Sequence, residues 1–269
     1  MSYFTIKENI DKQIFNAFNF ASDFLFLLNF KKSRLVKKNL SYKNINSGER
    51  CFVIGTGPSL SNITNHQAQK LAGEKIFAVN SFYKTDLSDS VNPTYYTLID
   101  NNYWGVSQRT FSEIYDKYKG QVPTFITDIR ASPIVSKLNG ARSIYIYSKN
   151  YPTKSMRLNI SANSSITMNT VSTSIISAMY MGFKEIYLLG CDYNLFCNRS
   201  GSHCYDDTEE VDELPKYNLA FYLKYYHLTT EFHYLIQKLA KKNDVKIINL
   251  TPGSLLDAYP LCDIDSVLS

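Results

Sequence analysis

The sequence predicts an α/β protein built on a single doubly wound, mostly parallel sheet. Strand-like and helix-like segments alternate from residue 50 onward, and such alternation implies parallel strands joined by right-handed helical crossovers. A Gly-x-Gly turn, residues 55–57, directly follows the first strand pattern. Because ligands of such sheets bind beyond the carboxyl ends of the strands, these two observations also predict where a ligand site lies.

Each predicted element rests on its own local pattern. Short apolar runs bounded by polar or glycine residues are typical of buried strands, and longer runs with a helical period are typical of helices. The strand candidates are residues 51–55, 75–79, 95–99, 124–127, 143–147, 185–189 and 245–249. The helix candidates are the stretch after Ser59 and residues 110–119, 170–181 and 217–241.

Composition excludes several classes of protein. A net charge of +5 on 269 residues is too small to predict a nucleic-acid partner. Five cysteines, with no C-x-x-C pair, argue against a disulfide framework and favour a reducing, cytoplasmic location. Cys197, His203 and Cys204 lie close in sequence, but their spacing fits no known zinc pattern. We therefore expect neither a metal nor another cofactor.

Residues 1–45 form a separate N-terminal segment in this interpretation, and residues 46–269 form the α/β domain. Apolar and aromatic residues recur at helical spacing up to residue 28, and a basic cluster follows at residues 31–38. An amphipathic helix beside lysines suits contact with the inner face of the cytoplasmic membrane. A helix packed on the domain, or one buried between copies of a homo-oligomer, fits the same pattern.

Polar residues follow the predicted strands, and they are mostly neutral. Amides and hydroxyls of this kind recognise sugars and nucleobases by hydrogen bonds, and the Gly-x-Gly turn before Ser59 offers backbone N–H groups to a phosphate. A second hydroxyl-rich segment begins the helix pattern at residue 170 and suggests another phosphate or sugar contact. The candidate donor-binding residues are Gly55, Thr56, Gly57, Ser59, Asn80, Ser81, Asp100, Asn101, Asn169, Thr170, Gly190, Asp192 and Asn194.

Residues 194–216 read as a long polar loop without a strand or helix pattern. The second half is strongly acidic. Loops of this length are often lids or binding loops, so this segment is interpreted as a lid-like insertion.

Four segments together resemble the bacterial sialyltransferases of glycosyltransferase family 42, which use CMP-sialic acid. They are residues 55–60, 79–83, 181–193 and 246–256, and the resemblance extends over residues 50–260. The glycine turn and the Lys-Glu-Ile-Tyr strand also look like a domain found in motility accessory factors and pterin diphosphokinases. The resemblance implies a Rossmann-like fold, a variant of the GT-A type.

The resemblance also implies a reaction. An inverting, metal-independent transferase would move a sialic acid or related nonulosonic acid from a CMP-sugar to a glycan acceptor such as lipooligosaccharide, O-antigen or capsule. His227 falls where the family has its catalytic base, and Tyr193 and Tyr205 are the nearest matches to the tyrosines that stabilise the departing phosphate.

The sequence departs from the family pattern at two places. Thr56 replaces an asparagine between the glycines, and residues 169–171 read Asn-Thr-Val where the family has Thr-Ser-Gly. A pterin-type diphosphokinase and a non-catalytic nucleotide-sugar-binding subunit of a glycan assembly complex are the two alternatives.

Overall fold

The computed structural model describes residues 3–194, 203–205 and 217–268, with the backbone alone for residues 3–5. Eight strands form one sheet in the order β6-β5-β4-β3-β2-β1-β7-β8, and every neighbouring pair is parallel. This confirms the predicted fold class. The strands are β1 (Arg50–Ile54), β2 (Ile76–Val79), β3 (Tyr95–Leu98), β4 (Thr124–Asp128), β5 (Ser143–Asn150), β6 (Asn163–Ser165), β7 (Glu185–Leu189) and β8 (Lys246–Asn249).

Eight α-helices in the described residues surround the sheet. They are α1 (Tyr3–Leu28), α2 (Phe30–Lys37), α3 (Asn65–Leu71), α4 (Thr110–Lys117), α5 (Ser132–Val135), α6 (Thr170–Tyr180), α7 (Leu219–Lys242) and α8 (Asp265–Leu268). Within the part of the chain that the structure describes, no helix is both long and apolar enough to span a bilayer.

Local signals account for the ends of several helices. Asn29 separates α1 from α2, because its side chain accepts a hydrogen bond from Lys32 N and caps the second helix. Thr64 and Gln67 form a reciprocal capping box that begins α3. The helix expected directly after Ser59 is instead a short 3-10 helix, Pro58–Asn62, and α3 follows three residues later.

Buried residues of β1 alternate between two hydrophobic cores, one on each face of the sheet. Phe52 and Ile54 belong to one core, while Cys51 and Val53 belong to the other. A strand buried on both faces is typical of a parallel sheet covered by helices on each side. β1 therefore lies at the centre of the domain, and its position is fixed by burial.

The chain adds strands first to one side of β1 and later to its other side. Strands β2 to β6 extend the sheet away from one side of β1, and β7 then returns to pair with its other side. The carboxyl ends of β1 and β7 thus flank a topological switch point, which is where sheets of this type bind ligands.

Candidate functional site

A cleft of about 550 Å³ lies at the carboxyl ends of the strands. Its walls come from the segments that follow β1, β2, β3, β4 and β7, and from β5, the start of α6 and the first half of α7. Of the candidate donor-binding residues, all but Ser59 and Ser81 line it: Gly55, Thr56, Gly57, Asn80, Asp100, Asn101, Asn169, Thr170, Gly190, Asp192 and Asn194. The residues that follow the predicted parallel strands therefore lie together in one cleft.

The turns after β1 and β7 touch each other at their glycines. Gly57 N donates to Gly190 O at 2.9 Å. A Cβ atom on Gly55 would lie 2.4 Å from Gly190 O, and one on Gly57 would lie 2.0 Å from Asp192 Oδ2. Glycine is required here because two backbones approach closely.

Asp192 caps the turn that follows β1. Ser59 donates to this carboxylate twice, from its backbone N at 3.1 Å and from its Oγ at 2.7 Å. The carboxylate thus occupies the anion position that the sequence had assigned to a phosphate at Ser59, and Ser59 does not line the cleft. The predicted phosphate contact at Ser59 is corrected accordingly: that donor serves Asp192.

The N-terminus of α6 opens into the cleft. Asn169, Thr170 and Val171 all line it, and the Asn169 side chain caps the helix by accepting from Ser172 N at 3.1 Å. The first N–H groups of a helix have no intrahelical acceptor, and together with the helix dipole they favour an anion. α6 is 11 residues long, so this end of the cleft is suited to a phosphate.

Asn80 is held beside that helix end. Thr170 Oγ1 donates to Asn80 Oδ1 at 3.1 Å, which leaves the side-chain NH₂ group of Asn80 to donate to a ligand. Its backbone has a φ of 47°, in the left-handed region that asparagine tolerates. Both predicted residues therefore face the same part of the cleft.

The sequence analysis missed the positive charges in this site. Arg130 makes a bidentate ion pair with Asp128, at 2.8 and 3.0 Å, and its guanidinium lies 4.5 Å from the centroid of the Trp104 ring. Lys149, at the end of β5, also lines the cleft and is exposed. Residues 128–130 directly follow the predicted strand 124–127. Because ligands bind beyond the carboxyl ends of parallel strands, Asp128 and Arg130 could have been predicted as site residues.

Aromatic residues form a further part of the cleft wall. Tyr193 hydrogen-bonds to Thr229 through its hydroxyl, and its ring meets Tyr226 edge to face. Burial raises the pKa of Tyr193, so this hydroxyl remains a hydrogen-bond donor. Tyr225, which also lines the cleft, donates to Met168 O at 2.6 Å. Tyr193 therefore lines the cleft, and its role at a phosphate stays a prediction.

His233 is a buried structural link behind this wall. Its ring nitrogens lie 3.1 Å from Ser172 Oγ and 2.9 Å from the hydroxyl of Tyr259. Burial lowers the pKa of His233 to about 3, so the ring is neutral at physiological pH. It therefore connects α7 to the start of α6 and does not exchange protons with a ligand under those conditions.

The other two residues predicted to be catalytic do not line the cleft. His227 lies on the exposed side of α7, with its side chain 66% exposed and its Nε2 3.9 Å from Glu231. Tyr205 stacks on His203 at 5.1 Å, and Lys84 lies 5.8 Å from its ring centroid. The proposed base role of His227 thus conflicts with this geometry, because the side chain points into solvent.

His203, in contrast, lines the cleft. The segment 203–205 is attached to the turn after β1, since Cys204 N donates to Thr56 O at 3.1 Å. Cys197 and most of the lid-like segment 194–216 lie outside the described residues. Among the residues that are described, no three potential metal ligands come together.

Comparison with protein-family models shows the family of this chain. The family model described as 6-hydroxymethylpterin diphosphokinase MptE-like matches residues 25–196, which is more than half of the chain. The chain belongs to the MptE-like family. The match includes β1 to β7 and the start of α6. The similarity to pterin diphosphokinase-like domains that the sequence indicated is thereby confirmed.

Solved glycosyltransferase structures share the fold of this MptE-like chain. The MAf glycosyltransferase from Magnetospirillum magneticum AMB-1 aligns over 87% of the chain, with 14% identity and a TM-score of 0.51. The chain spans only 38% of that protein's length. The sialyltransferase CstII from Campylobacter jejuni, solved with cytidine-5'-monophosphate, aligns over 81% of this chain and 86% of its own, with 16% identity and a TM-score of 0.49. A search of curated proteins finds no match.

Proposed function

We propose that this MptE-like protein is an inverting glycosyltransferase that uses a CMP-activated sialic acid or related nonulosonic acid, without a metal ion. The acceptor in this proposal is a cell-surface glycan such as lipooligosaccharide, O-antigen or capsule. The observation that carries the proposal is the cleft at the β1/β7 switch point with the N-terminus of α6 in its wall. The sequence resemblance to sialyltransferases supplies the identity of the donor.

The phosphate of the donor would lie at the start of α6. The N–H groups of Thr170 and Val171 and the amide of Asn80 surround this position. Lys149 adds positive charge elsewhere along the cleft, whereas the charge of Arg130 is paired with Asp128. As the glycosidic bond breaks, negative charge accumulates on the departing phosphate. Fixed donors and the helix dipole stabilise that charge without having to reorganise as it develops.

Tyr193 would donate to the same phosphate or to the carboxylate of the sugar. Its hydroxyl is held by Thr229 and lies close to Thr230, 3.4 Å away. Because Thr229 Oγ1 donates to Tyr225 O at 3.0 Å, the Tyr193 hydroxyl donates to Thr229 in the unliganded site and would turn from Thr229 to the ligand. The donor would then lie beside the charge as that charge develops.

A general base must take the proton of the acceptor hydroxyl, and His203 is our proposal for this role. All four histidines of the chain are described, and His203 is the one that both lines the cleft and is partly exposed. His66 and His227 are exposed outside the cleft, and His233 is fully buried. A positioned base contributes ~10²–10⁴-fold to the rate of such reactions.

We therefore expect His203→Ala to lower the transfer rate by about 10²-fold or more, while His227→Ala stays close to wild type. The assay is release of CMP from a CMP-sugar in the presence of a glycan acceptor. Binding of CMP should be nearly unchanged in both variants, because neither side chain touches the proposed phosphate position. The reverse result, with His227→Ala inactive and His203→Ala active, would restore His227 as the base.

Diphosphate transfer from ATP to a hydroxymethylpterin is the second candidate, and the family match favours it. Such chemistry generally needs Mg²⁺ held by carboxylates. Asp128 and Asp192 line the cleft and accept hydrogen bonds from Arg130 and Ser59, while Asp100 also lines the cleft and is exposed. Among the described residues no three potential metal ligands come together, and this supports the glycosyltransferase over the kinase. A nucleotide-sugar-binding subunit without catalysis is distinguished by the same CMP-release assay.

A further inference from the structure

Helix α1 packs on the domain through the side that carries its polar residues Asn19 and Asp23. On this side Phe26 is also buried and Phe15 stacks on Tyr151. Asn19 pairs with the backbone of Tyr151, donating to its carbonyl at 2.8 Å and accepting from its N–H at 2.7 Å. Asp23 accepts from Asn150 at 2.7 Å and forms an ion pair with Arg157, also at 2.7 Å. The helix is thus fixed to β5 and the segments around it by directional polar contacts.

The opposite side of α1 is apolar and exposed to solvent. At 100° per residue, its exposed apolar positions fall within an arc of about 180°, centred opposite Asn19 and Asp23. Phe20 is 80% exposed, and so is Phe30 at the start of α2. We call this surface the apolar face; its residues are Ile6, Ile10, Ile14, Phe18, Phe20, Phe24, Leu25, Leu27, Leu28 and Phe30.

This arrangement reverses the usual orientation of an amphipathic helix. A helix on a water-soluble domain normally turns its apolar stripe toward the core. A continuous apolar surface of this extent marks a site of interaction. The packing on β5 therefore does not account for the apolar residues of α1, and they require another partner.

A basic cluster continues the apolar face. Lys31, Lys32, Arg34, Lys37 and Lys38 are all exposed, and the sequence has no acidic residue from position 24 to position 48. Among the residues that the structure describes, none of these five cations forms an ion pair with a carboxylate; Lys32 lies 5.7 Å from the ring centroid of Tyr147. The cluster is therefore accessible to anions.

We propose that the apolar face and the basic cluster bind the surface of an anionic lipid bilayer, with α1 lying parallel to it. Such a bilayer offers an acyl boundary for the apolar side chains and negative headgroups for the lysines, in the same relative arrangement. The helix is anchored to the domain by its polar side, so it can enter the interface without unfolding. This proposal does not depend on the reaction that the cleft performs.

The test is co-sedimentation of the full chain with vesicles containing phosphatidylglycerol or phosphatidylcholine alone. The wild type should pellet with the anionic vesicles, weakly with the neutral ones, and less as salt is raised. Phe20→Gln/Phe24→Gln should lower the partition coefficient by about tenfold or more. Val106→Gln is the matched control, since Val106 is 82% exposed and lies outside α1.

A second set of variants tests the charges. Lys31→Gln/Lys37→Gln/Lys38→Gln should reduce binding to anionic vesicles by about a hundredfold if each lysine contributes its usual share. Lys241→Gln/Lys242→Gln, at the far end of α7, is the control and should bind as the wild type does. Melting temperatures should remain close to wild type in all variants, because the substituted side chains are exposed.

Two results would overturn the proposal. One is equal pelleting of the wild type and the Phe20/Phe24 variant, or pelleting that does not depend on lipid charge. The other is a wild type that is dimeric by light scattering, does not bind vesicles, and becomes monomeric in the Phe20/Phe24 variant. The latter would assign the apolar face to a second copy of the chain.

Discussion

Gly55→Ala should lower the melting temperature by about 6–12 °C, the largest stability effect we expect from a single methyl group in this protein. The added Cβ would lie 2.4 Å from Gly190 O and 3.1 Å from Gly190 C. Both atoms belong to backbone at the end of β7, which pairs with β1, so neither can move without separating the two central strands. Overpacking against a backbone that cannot move costs about 3 kcal/mol, the upper end of the usual range.

Gly120→Ala is the control for this effect. A Cβ on Gly120 meets nothing within 4 Å, so this variant should melt within about 2 °C of the wild type. Thermal unfolding of the purified proteins, followed by circular dichroism, measures both. An unchanged melting temperature for Gly55→Ala would contradict the close contact between the backbones of the turns after β1 and β7.

His233 should make the protein sensitive to mild acid. The folded state lowers the pKa of this histidine to about 3 from an ordinary value of 6.5, because the buried ring has no room for hydration of a charge. Between these two pH values the unfolded chain binds more protons than the folded one. The stabilising effect is therefore complete above pH 6.5 and is lost as the pH falls toward 3.

The expected slope is about 1.4 kcal/mol per pH unit within that window. From pH 7 to pH 4.5 the free energy of unfolding should thus fall by about 2–3 kcal/mol more in the wild type than in His233→Gln, which cannot acquire the charge. His227→Ala, which removes an exposed histidine from the same helix, should keep the wild-type dependence. Urea unfolding at several pH values measures these differences; parallel curves for wild type and His233→Gln would contradict the assignment.

The buried strands and the position of the cleft were predictable, because buried strands appear in the sequence as short apolar runs and the site residues follow those runs. β1 reads as four apolar residues ended by a glycine, and a run this short before a glycine favours a strand covered on both faces. Polar residues after successive parallel strands must meet at one edge of the sheet. Asn80, Asp100 and Asp192 were found in this way, although they are far apart in sequence.

Strand β6 and the orientation of α7 were not predictable by the same reasoning. Asn163, Ser164 and Ser165 have little strand propensity, and the strand depends on tertiary contacts such as the bond from Asn163 Nδ2 to Ser22 Oγ at 3.0 Å. His227 and His233 both lie on α7, and the choice between them depends on how the helix is rotated about its axis. The contacts of His233 with Ser172 of α6 and with Tyr259 show which side of α7 faces the domain.

The domain boundary near residue 45 stays a prediction. The structure instead shows how the N-terminal segment is attached, through Asn19, Asp23 and the buried Phe26. The sequence pattern alone left membrane contact, internal packing and self-association open, because all three need an amphipathic helix. Which side of the helix faces the domain separates internal packing from the other two, and only tertiary structure provides that.

The central claim is that the cleft binds a cytidine nucleotide at the start of α6 without a metal ion. Thermal shift with CMP, CDP, UDP, GDP and ATP, each with Mg²⁺ or with EDTA, tests it most directly. At 100 times its dissociation constant, CMP should stabilise the wild type by about 2.7 kcal/mol, or about 5–10 °C, in either condition. The shift should shrink in Thr170→Val, which removes the hydroxyl bonded to Asn80. Stabilisation by ATP alone, and only with Mg²⁺, would contradict the claim and favour diphosphate transfer.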